Sequence, residues 1–309
     1  MVHTFAMNDN YIALDVNSGS IYLVEEIVYS ILKDFPNKFP SYEEVFNQKG
    51  SQYQKSEIDE AYREIESLNA EKRLYSPEID WDQLLKKSYQ VKDLKALCLH
   101  VAHDCNLQCE YCFASNGDYH LGQSLMTADT AIKAIDFLVR NSERQNLEID
   151  FFGGEPMLNF QVVKAAVSYG REVERRSGKK LHFTITTNGT LLDEPTIDYL
   201  NQNIDNVVIS IDGRKETHDA IRFYRGGKGS YDRIVPLAQE LVRNRGSKEY
   251  YIRGTFTSAN LDFASDVLHL AGLGFNEISI EPAIGHIGRY TIKREHLPEI
   301  LREYESLAQ

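Results

Sequence analysis

From Ala96 onward one pattern repeats: a short β-type run followed by a helical run, six times over. The strand-like runs are LCLHVAH (97–103), LEIDFFG (147–153), HFTITTN (182–188), VVISID (207–212), YIRGTFT (251–257) and EISIEPA (277–283). Helical periodicity marks about 127–142, 160–176, 194–202, 231–244, 262–271 and 294–308. Successive strands with a helix between them pair in parallel through crossovers, so the alternation dictates an α/β fold with a parallel sheet. Six units predict a partial (βα)6 TIM-type barrel over 96–309; an open doubly wound sheet fits less well. In both folds ligands gather at the carboxyl ends of the strands, and the candidate motifs fall at those ends.

The first 75 residues read differently. TFAMND, YIALDV and SIYLVE are β-type runs separated by the turn signals Asn8-Asp9-Asn10 and Asn17-Ser18-Gly19. Three helical patterns follow: one carrying Ile27, Ile31 and Leu32, one opened by Ser41 with capping-box spacing to Glu44, and one from about Lys55 to Leu74. The order predicts a small winged-helix-like α+β domain over 1–75. Residues 76–95, containing Trp81, read as a linker helix or strap.

Composition narrows the function classes. The 309 residues are 42% apolar and 26% charged, as in an ordinary globular protein. No run of about 18 apolar residues predicts a membrane span, and the N-terminus has no basic, apolar secretory pattern. With 34 Lys and Arg against 46 Asp and Glu the net charge is −12, so neither nucleic acid nor an anionic membrane is an expected partner. The cysteines, Cys98, Cys105, Cys109 and Cys112, are crowded into one segment. A disulfide framework spreads its cysteines, whereas crowding in a chain without an export signal points to metal or redox chemistry in the cytoplasm.

Cys105-Asn-Leu-Gln-Cys109-Glu-Tyr-Cys112 is a C-x3-C-x2-C spacing just after the first barrel strand. A loop this short can aim three thiolates at one centre. Structural zinc asks for four ligands, whereas a four-iron cluster held by three cysteines keeps one iron open. The alternative is zinc completed by Cys98 or a histidine. Cys98 lies inside the strand and is expected to be packed there, and His100 and His103 are expected at the barrel wall or rim.

This cysteine loop, with Tyr111 before its last cysteine, resembles that of the radical S-adenosylmethionine (SAM) enzymes. Phe151-Phe152-Gly153-Gly154-Glu155-Pro156, ending the second strand, is similar to the family's GGE motif. The resemblance implies that Gly153, Gly154 and Glu155 meet the SAM amino group; glycines admit close backbone approach and a carbonyl accepts from an ammonium. Thr186-Thr187-Asn188-Gly189-Thr190 resembles the TNG segment of the SPASM branch, and Ser210-Ile-Asp212-Gly213 with His218-Asp219 and Arg222 resembles its SxDG…HDxxR run. Alternation puts Ser210 and Asp212 on one face, where both can reach ribose hydroxyls. Arg222 is implied as a clamp for the SAM carboxylate, against the alternative of an ion pair with Asp212 or Asp219. Arg253 could share that role, and 280–283 would meet adenine. The resemblance thus implies a [4Fe–4S] cluster on Cys105, Cys109 and Cys112 and a SAM site formed by Tyr111, Gly153, Gly154, Glu155, Asn188, Ser210, Asp212 and Arg222.

YIALDVNSGSIYLVEEIVYSIL resembles a peptide-recognition element of the PqqD type. It implies that a leader peptide adds as a strand along 20–25, meeting Ile21, Tyr22 and Leu23. A DNA-binding winged helix is the rival, but residues 1–80 carry 7 Lys and Arg against 15 Asp and Glu, a balance that disfavours phosphate. LCLHVAHDCNLQCEYCFA with DFFGGEPMLNF is similar to maturases of SCIFF peptides, which install thioether links in a cysteine-containing precursor peptide. The implied chemistry is hydrogen abstraction by a 5′-deoxyadenosyl radical, with flavodoxin or ferredoxin as reductant. Alternatives are a sulfatase-maturase-like radical SAM oxidase and a peptide-binding module with a non-catalytic metal site. No cysteine follows Cys112, so the auxiliary clusters of a SPASM region are not expected from this chain.

Overall fold

The computed structural model of the chain describes residues 1–88, 94–285 and 288–309, and it divides into two compact units, Met1–Gln90 with Ala308–Gln309, and Val91–Leu307. In the first unit, β1 (Val2–Met7), β2 (Asn10–Asp15) and β3 (Ile21–Val24) form an antiparallel meander. Asn8 and Asp9, with φ of 50° and 60°, make the two-residue turn that the twist of a hairpin prefers. At the next turn Asp15 Oδ1 accepts from Ser18 N at 2.8 Å. The helices α1 (Glu26–Asp34), α2 (Tyr42–Lys49) and α3 (Lys55–Ala70) follow, with the Ser41–Glu44 capping box in place. Val2, Ala13, Ile31, Leu32, Val45, Ile58 and Ile65 are buried in this unit's own core. Among the described residues strand β3 pairs with β2 alone, and its Ile21 and Leu23 are 68% and 74% exposed while Tyr22 is half-buried. Helix α4 (Trp81–Ser88) occupies part of the expected linker; the rest of that stretch, residues 89–93, lies outside the described residues.

The second unit begins with β4 (Ala96–His103), β5 (Ser124–Leu125), α5 (Ala128–Arg140), β6 (Asn146–Gly153), α6 (Phe160–Ser177) and β7 (Lys180–Thr187). It continues with α7 (Glu194–Asn203), β8 (Asn206–Ser210), α8 (Lys215–Ile221), α9 (Tyr231–Arg243), β9 (Glu249–Phe256), α10 (Phe263–Gly272), β10 (Ile278–Pro282) and α11 (Leu297–Leu307). The sheet order is β10-β9-β8-β7-β6-β4-β5. All six long strands are parallel, and the two-residue β5 runs antiparallel to β4. The long strands follow chain order without reversal. A doubly wound sheet reverses at a switch point, so this topology is the partial barrel. Helix α8, which carries the His218-Asp219 run, was not foreseen by the periodicity.

Alternation along the strands separates two faces. Leu99 and Val101, Ile149 and Phe151, Phe183 and Ile185, and Val207 and Ile209 are buried in one core with Ile135, Leu138, Val163, Val167, Leu200 and Ile234 of the helices. Their neighbours face the other way: Cys98, Asp150, Thr184 and Asn206 lie at one level, strand to strand. The expectation that Cys98 is packed is therefore corrected: it is exposed. It sits on the concave face, where polar residues stand in place of the branched side chains that fill a closed barrel. Among the described residues no helix is long and apolar enough to cross a membrane.

Candidate functional site at the strand ends

The loop after β4 carries the three cysteines, and the ends of β6, β7 and β8 face it. Together they enclose a cavity of about 120 Å³ whose lining includes Cys105, Cys109 and Cys112. Tyr111, Gly153, Gly154, Asn188, Ser210 and Arg222 also line it. Burial pushes the Cys105 thiol up to about 11 and the Cys109 thiol up to about 12. Such thiols are poor free nucleophiles, and ionise only against a strong cationic partner such as a metal. Cys98 does not line this cavity. Among the described residues no group of three or more His, Cys, Asp or Glu side chains is arranged to hold a single metal ion.

The glycine turn is locked by backbone. Gly154 N donates to Ala102 O and Glu155 N to Asp104 O, both at 2.8 Å. A Cβ on Gly153 would lie 2.3 Å from Ala102 O, and one on Gly154 would lie 2.2 Å from Asp104 O. Only glycine allows this approach of two strand ends. Glu155 turns inward: its carboxylate accepts from Met157 N (3.0 Å), Thr187 Oγ1 (2.7 Å) and Asn188 N (2.7 Å). Burial pushes its carboxyl up to about 7, against the pull of those donors. Glu155 is fully buried behind the cavity wall, and its oxygens tie β6 to β7.

Strand β8 ends at Ser210, so alternation no longer places residue 212. Ser210 lines the cavity, but Asp212 is fully buried. Its carboxylate accepts from Tyr111 Oη (2.7 and 3.0 Å), Arg222 Nε (3.0 Å) and Thr255 N (3.1 Å). The Arg222 guanidinium also lies 5.4 Å from the centre of the Tyr111 ring. Arg222 therefore makes the ion pair with Asp212 and lines the cavity at the same time. Arg253 pairs with Glu281 at 2.6 Å.

Asn188 is committed locally. Its Nδ2 donates to Cys105 Sγ (3.6 Å) and to Asn106 Oδ1 (2.9 Å), and its Oδ1 accepts from Thr190 Oγ1 (2.6 Å). Sequence reasoning missed Asn106, whose Nδ2 also reaches Thr190 Oγ1 at 2.8 Å. It missed Phe152, Thr186 and Thr187, which line the cavity too. It also missed a clamp on the cysteine loop: Arg225 Nη2 donates to Asp104 Oδ1 and Cys105 O, both at 2.7 Å. Strand alternation could have found Thr186, two residues before Asn188 on the same face; nothing in the sequence ties Arg225 to Asp104.

The sequence profile of the Radical SAM superfamily matches residues 99–282. The chain is 33% identical over 192 residues to an uncharacterized protein of Methanocaldococcus jannaschii, covering 62% of this chain and 63% of that one. It is 30% identical over 165 residues to the cysteine-type anaerobic sulfatase-maturating enzyme of Clostridium novyi, covering 52% of this chain and 43% of that one. The chain spans less than two thirds of the length of these relatives. Its fold is similar to native anSMEcpe with bound AdoMet and Cp18Cys peptide, with a TM-score of 0.61 at 22% identity over 69% of this chain and 59% of that one. Since the matched profile covers more than half of the sequence and every residue of the cavity wall, the chain belongs to the Radical SAM superfamily.

Proposed function

We propose that this protein is a radical SAM peptide maturase that forms thioether crosslinks in a ribosomally made, cysteine-containing precursor peptide. The family's cofactors are a [4Fe–4S] cluster and SAM. One observation carries the cofactor chemistry of this reading: three cysteines, not four, share the wall of a single cavity with the glycine turn and polar strand ends. That donor set fits a cluster with one open iron better than structural zinc. When bound, the reduced cluster and SAM supply a 5′-deoxyadenosyl radical that removes hydrogen from a substrate carbon.

The chain's own residues hold and screen that chemistry. Cys105, Cys109 and Cys112 are the proposed ligands, and the Asn188 amide donates to the Cys105 sulfur, the kind of hydrogen bond that tunes a cluster's potential. Carbonyls of the Gly153–Gly154 turn accept from the SAM amino group. Ser210 meets ribose, and the guanidinium nitrogens of Arg222 not engaged by Asp212 meet the carboxylate. Tyr111 supports Arg222 through Asp212. In the N-terminal unit the free edge of β3, with Ile21, Tyr22 and Leu23, takes the leader peptide by strand addition. A flavodoxin or ferredoxin is the reductant, and the free thiols suit the cytoplasm.

A second reading, oxidation of a sulfatase-type peptide, draws on the identity to the sulfatase-maturating relative. One experiment tests both. Anaerobically reconstituted protein should bind about four irons and show a broad absorbance at about 400 nm; Cys112→Ala should lose both, while Cys98→Ala keeps them. With dithionite and SAM it should release 5′-deoxyadenosine. A cysteine-containing precursor peptide should then become lighter by two hydrogens per crosslink, one from carbon and one from sulfur, and its cysteines should resist alkylation. An oxidised side chain without a carbon–sulfur crosslink would favour the second reading. Equal iron loss in Cys112→Ala and Cys98→Ala would overturn the three-ligand assignment.

A further inference from the structure

Residues 113–123, FASNGDYHLGQ, run from the last cluster cysteine to β5. Four non-glycine residues in this loop are left-handed: Ser115 (φ 48°), Asn116 (φ 60°), Tyr119 (φ 55°) and His120 (φ 60°). Such conformations are costly for residues with a Cβ and persist where the surroundings over-determine them. Here the ties are explicit. Tyr119 N donates to Ala114 O and Leu121 N to Asp118 O, both at 2.9 Å. His120 N donates to Asp118 Oδ1 at 2.9 Å, and the Ser115 hydroxyl lies 2.6 Å from His120 Nε2.

Within this loop the Tyr119 side chain turns onto the ends of β4 and β6. The Tyr119 ring stacks on His100 at 4.7 Å, lies 5.2 Å from His103 and meets Phe113 edge-on at 6.1 Å. Its hydroxyl donates to the Gly153 carbonyl at 3.2 Å. Burial, aided by the nearby Cys112 and Cys98 thiols, pushes this phenol up to about 12, so it stays a donor throughout the neutral range. A carbonyl oxygen has two lone pairs. The hydroxyl engages one and restrains the peptide plane, which leaves the other for a second donor. Tyr119 itself does not line the cavity; its hydroxyl meets the wall at Gly153 and its ring meets it at Phe113.

We propose that Tyr119 is a positioning residue that holds the Gly153 carbonyl in the direction needed by the SAM ammonium; this rests on the reading that the glycine turn receives that group. Because the effect passes through one carbonyl, it acts on the amino-acid end of SAM and not on the nucleoside. Tyr119→Phe keeps the ring and its stack but removes the hydroxyl. Equilibrium binding of SAM and of methylthioadenosine, which lacks the amino-acid end, is measured on the anaerobically reconstituted full chain. Tyr119→Phe should weaken SAM about three- to tenfold, the range for one lost hydrogen bond. Methylthioadenosine affinity and iron content should not change. Tyr119→Leu should show the same selective loss if the hydroxyl carries the effect. Equal weakening of both ligands in Tyr119→Phe, or an unchanged or tightened SAM affinity, overturns the proposal. If the unaltered protein binds SAM no more tightly than methylthioadenosine, the reading of the glycine turn fails instead.

Discussion

A buried carboxylate must find its donors inside the protein, and Asp212 and Arg222 show how that changes a residue's reading. Their spacing fits two cofactor contacts, yet Asp212 is buried against Arg222, whose side chain is only 11% exposed. Removing one partner of a buried pair leaves the other charge uncompensated, at a cost of roughly 3–5 kcal/mol. Arg222→Ala should therefore lower the urea midpoint of the cofactor-free protein as well as its SAM affinity. A lost SAM affinity with an unmoved midpoint would mean that the ion pair holds nothing together. His218 gives the pH counterpart. Its Nδ1 accepts from Asp212 N at 3.3 Å, and Nε2 lies 2.9 Å from the Ser230 hydroxyl, which itself donates to Arg222 O. That arrangement needs the neutral ring, and burial holds its pKa down at about 4. The folded state thus binds fewer protons than the unfolded state, so this stability is complete above the ordinary histidine range and declines as pH falls from about 6.5 towards 4. Unfolding free energies from urea melts across that window should fall more steeply in the unaltered protein than in His218→Asn, with the difference approaching roughly 3 kcal/mol. Parallel curves would place the acid sensitivity elsewhere.

At the scale of elements, strand positions were legible because alternation and the βα period are local signals. Ser41, with its capping-box spacing to Glu44, opens α2 by accepting from the backbone three residues on, and Thr127 and Asp193 open α5 and α7 in the same way. Helix α8 was hidden because it is short and its buried His218 is not apolar. Packing between elements was not legible either. Gly170 sits mid-helix in α6, where alanine gains about 1 kcal/mol in intrinsic propensity. Yet a Cβ there would lie 2.5 Å from Phe183 Cζ and 3.1 Å from Leu181 Cδ1. Phe183 is fully buried and stacked on Phe151 at 5.8 Å, so it has little room to yield. Overpacking costs about 1–3 kcal/mol and outweighs the propensity gain. Gly170→Ala should therefore be net destabilising by up to about 2 kcal/mol in a thermal or urea melt. A more stable variant would show that α6 can shift off the sheet freely.

On the scale of the whole molecule, each unit carries its own buried core. A cluster bound to Cys105, Cys109 and Cys112 favours the folded form of the unit that holds them, as any ligand of the native state does. Calorimetry should resolve two transitions, and reconstitution with iron and sulfide should raise only the one belonging to Val91–Leu307. A single transition that moves as a whole would show that the units unfold together. The sequence alone determined the partial barrel, because strand and helix periods are written in successive residues. It also determined the three-cysteine loop, whose spacing is short enough for the loop itself to gather the thiols. The tertiary structure decided what distance along the chain conceals. Tyr111 and Asp212 are 101 positions apart, and Asp104 and Arg225 are 121 apart. Cys98 is open because its strand neighbours leave the concave face polar. Whether a polar side chain faces a ligand or a partner depends on which other strand ends bring donors to it, and those contacts exist only once the chain has folded.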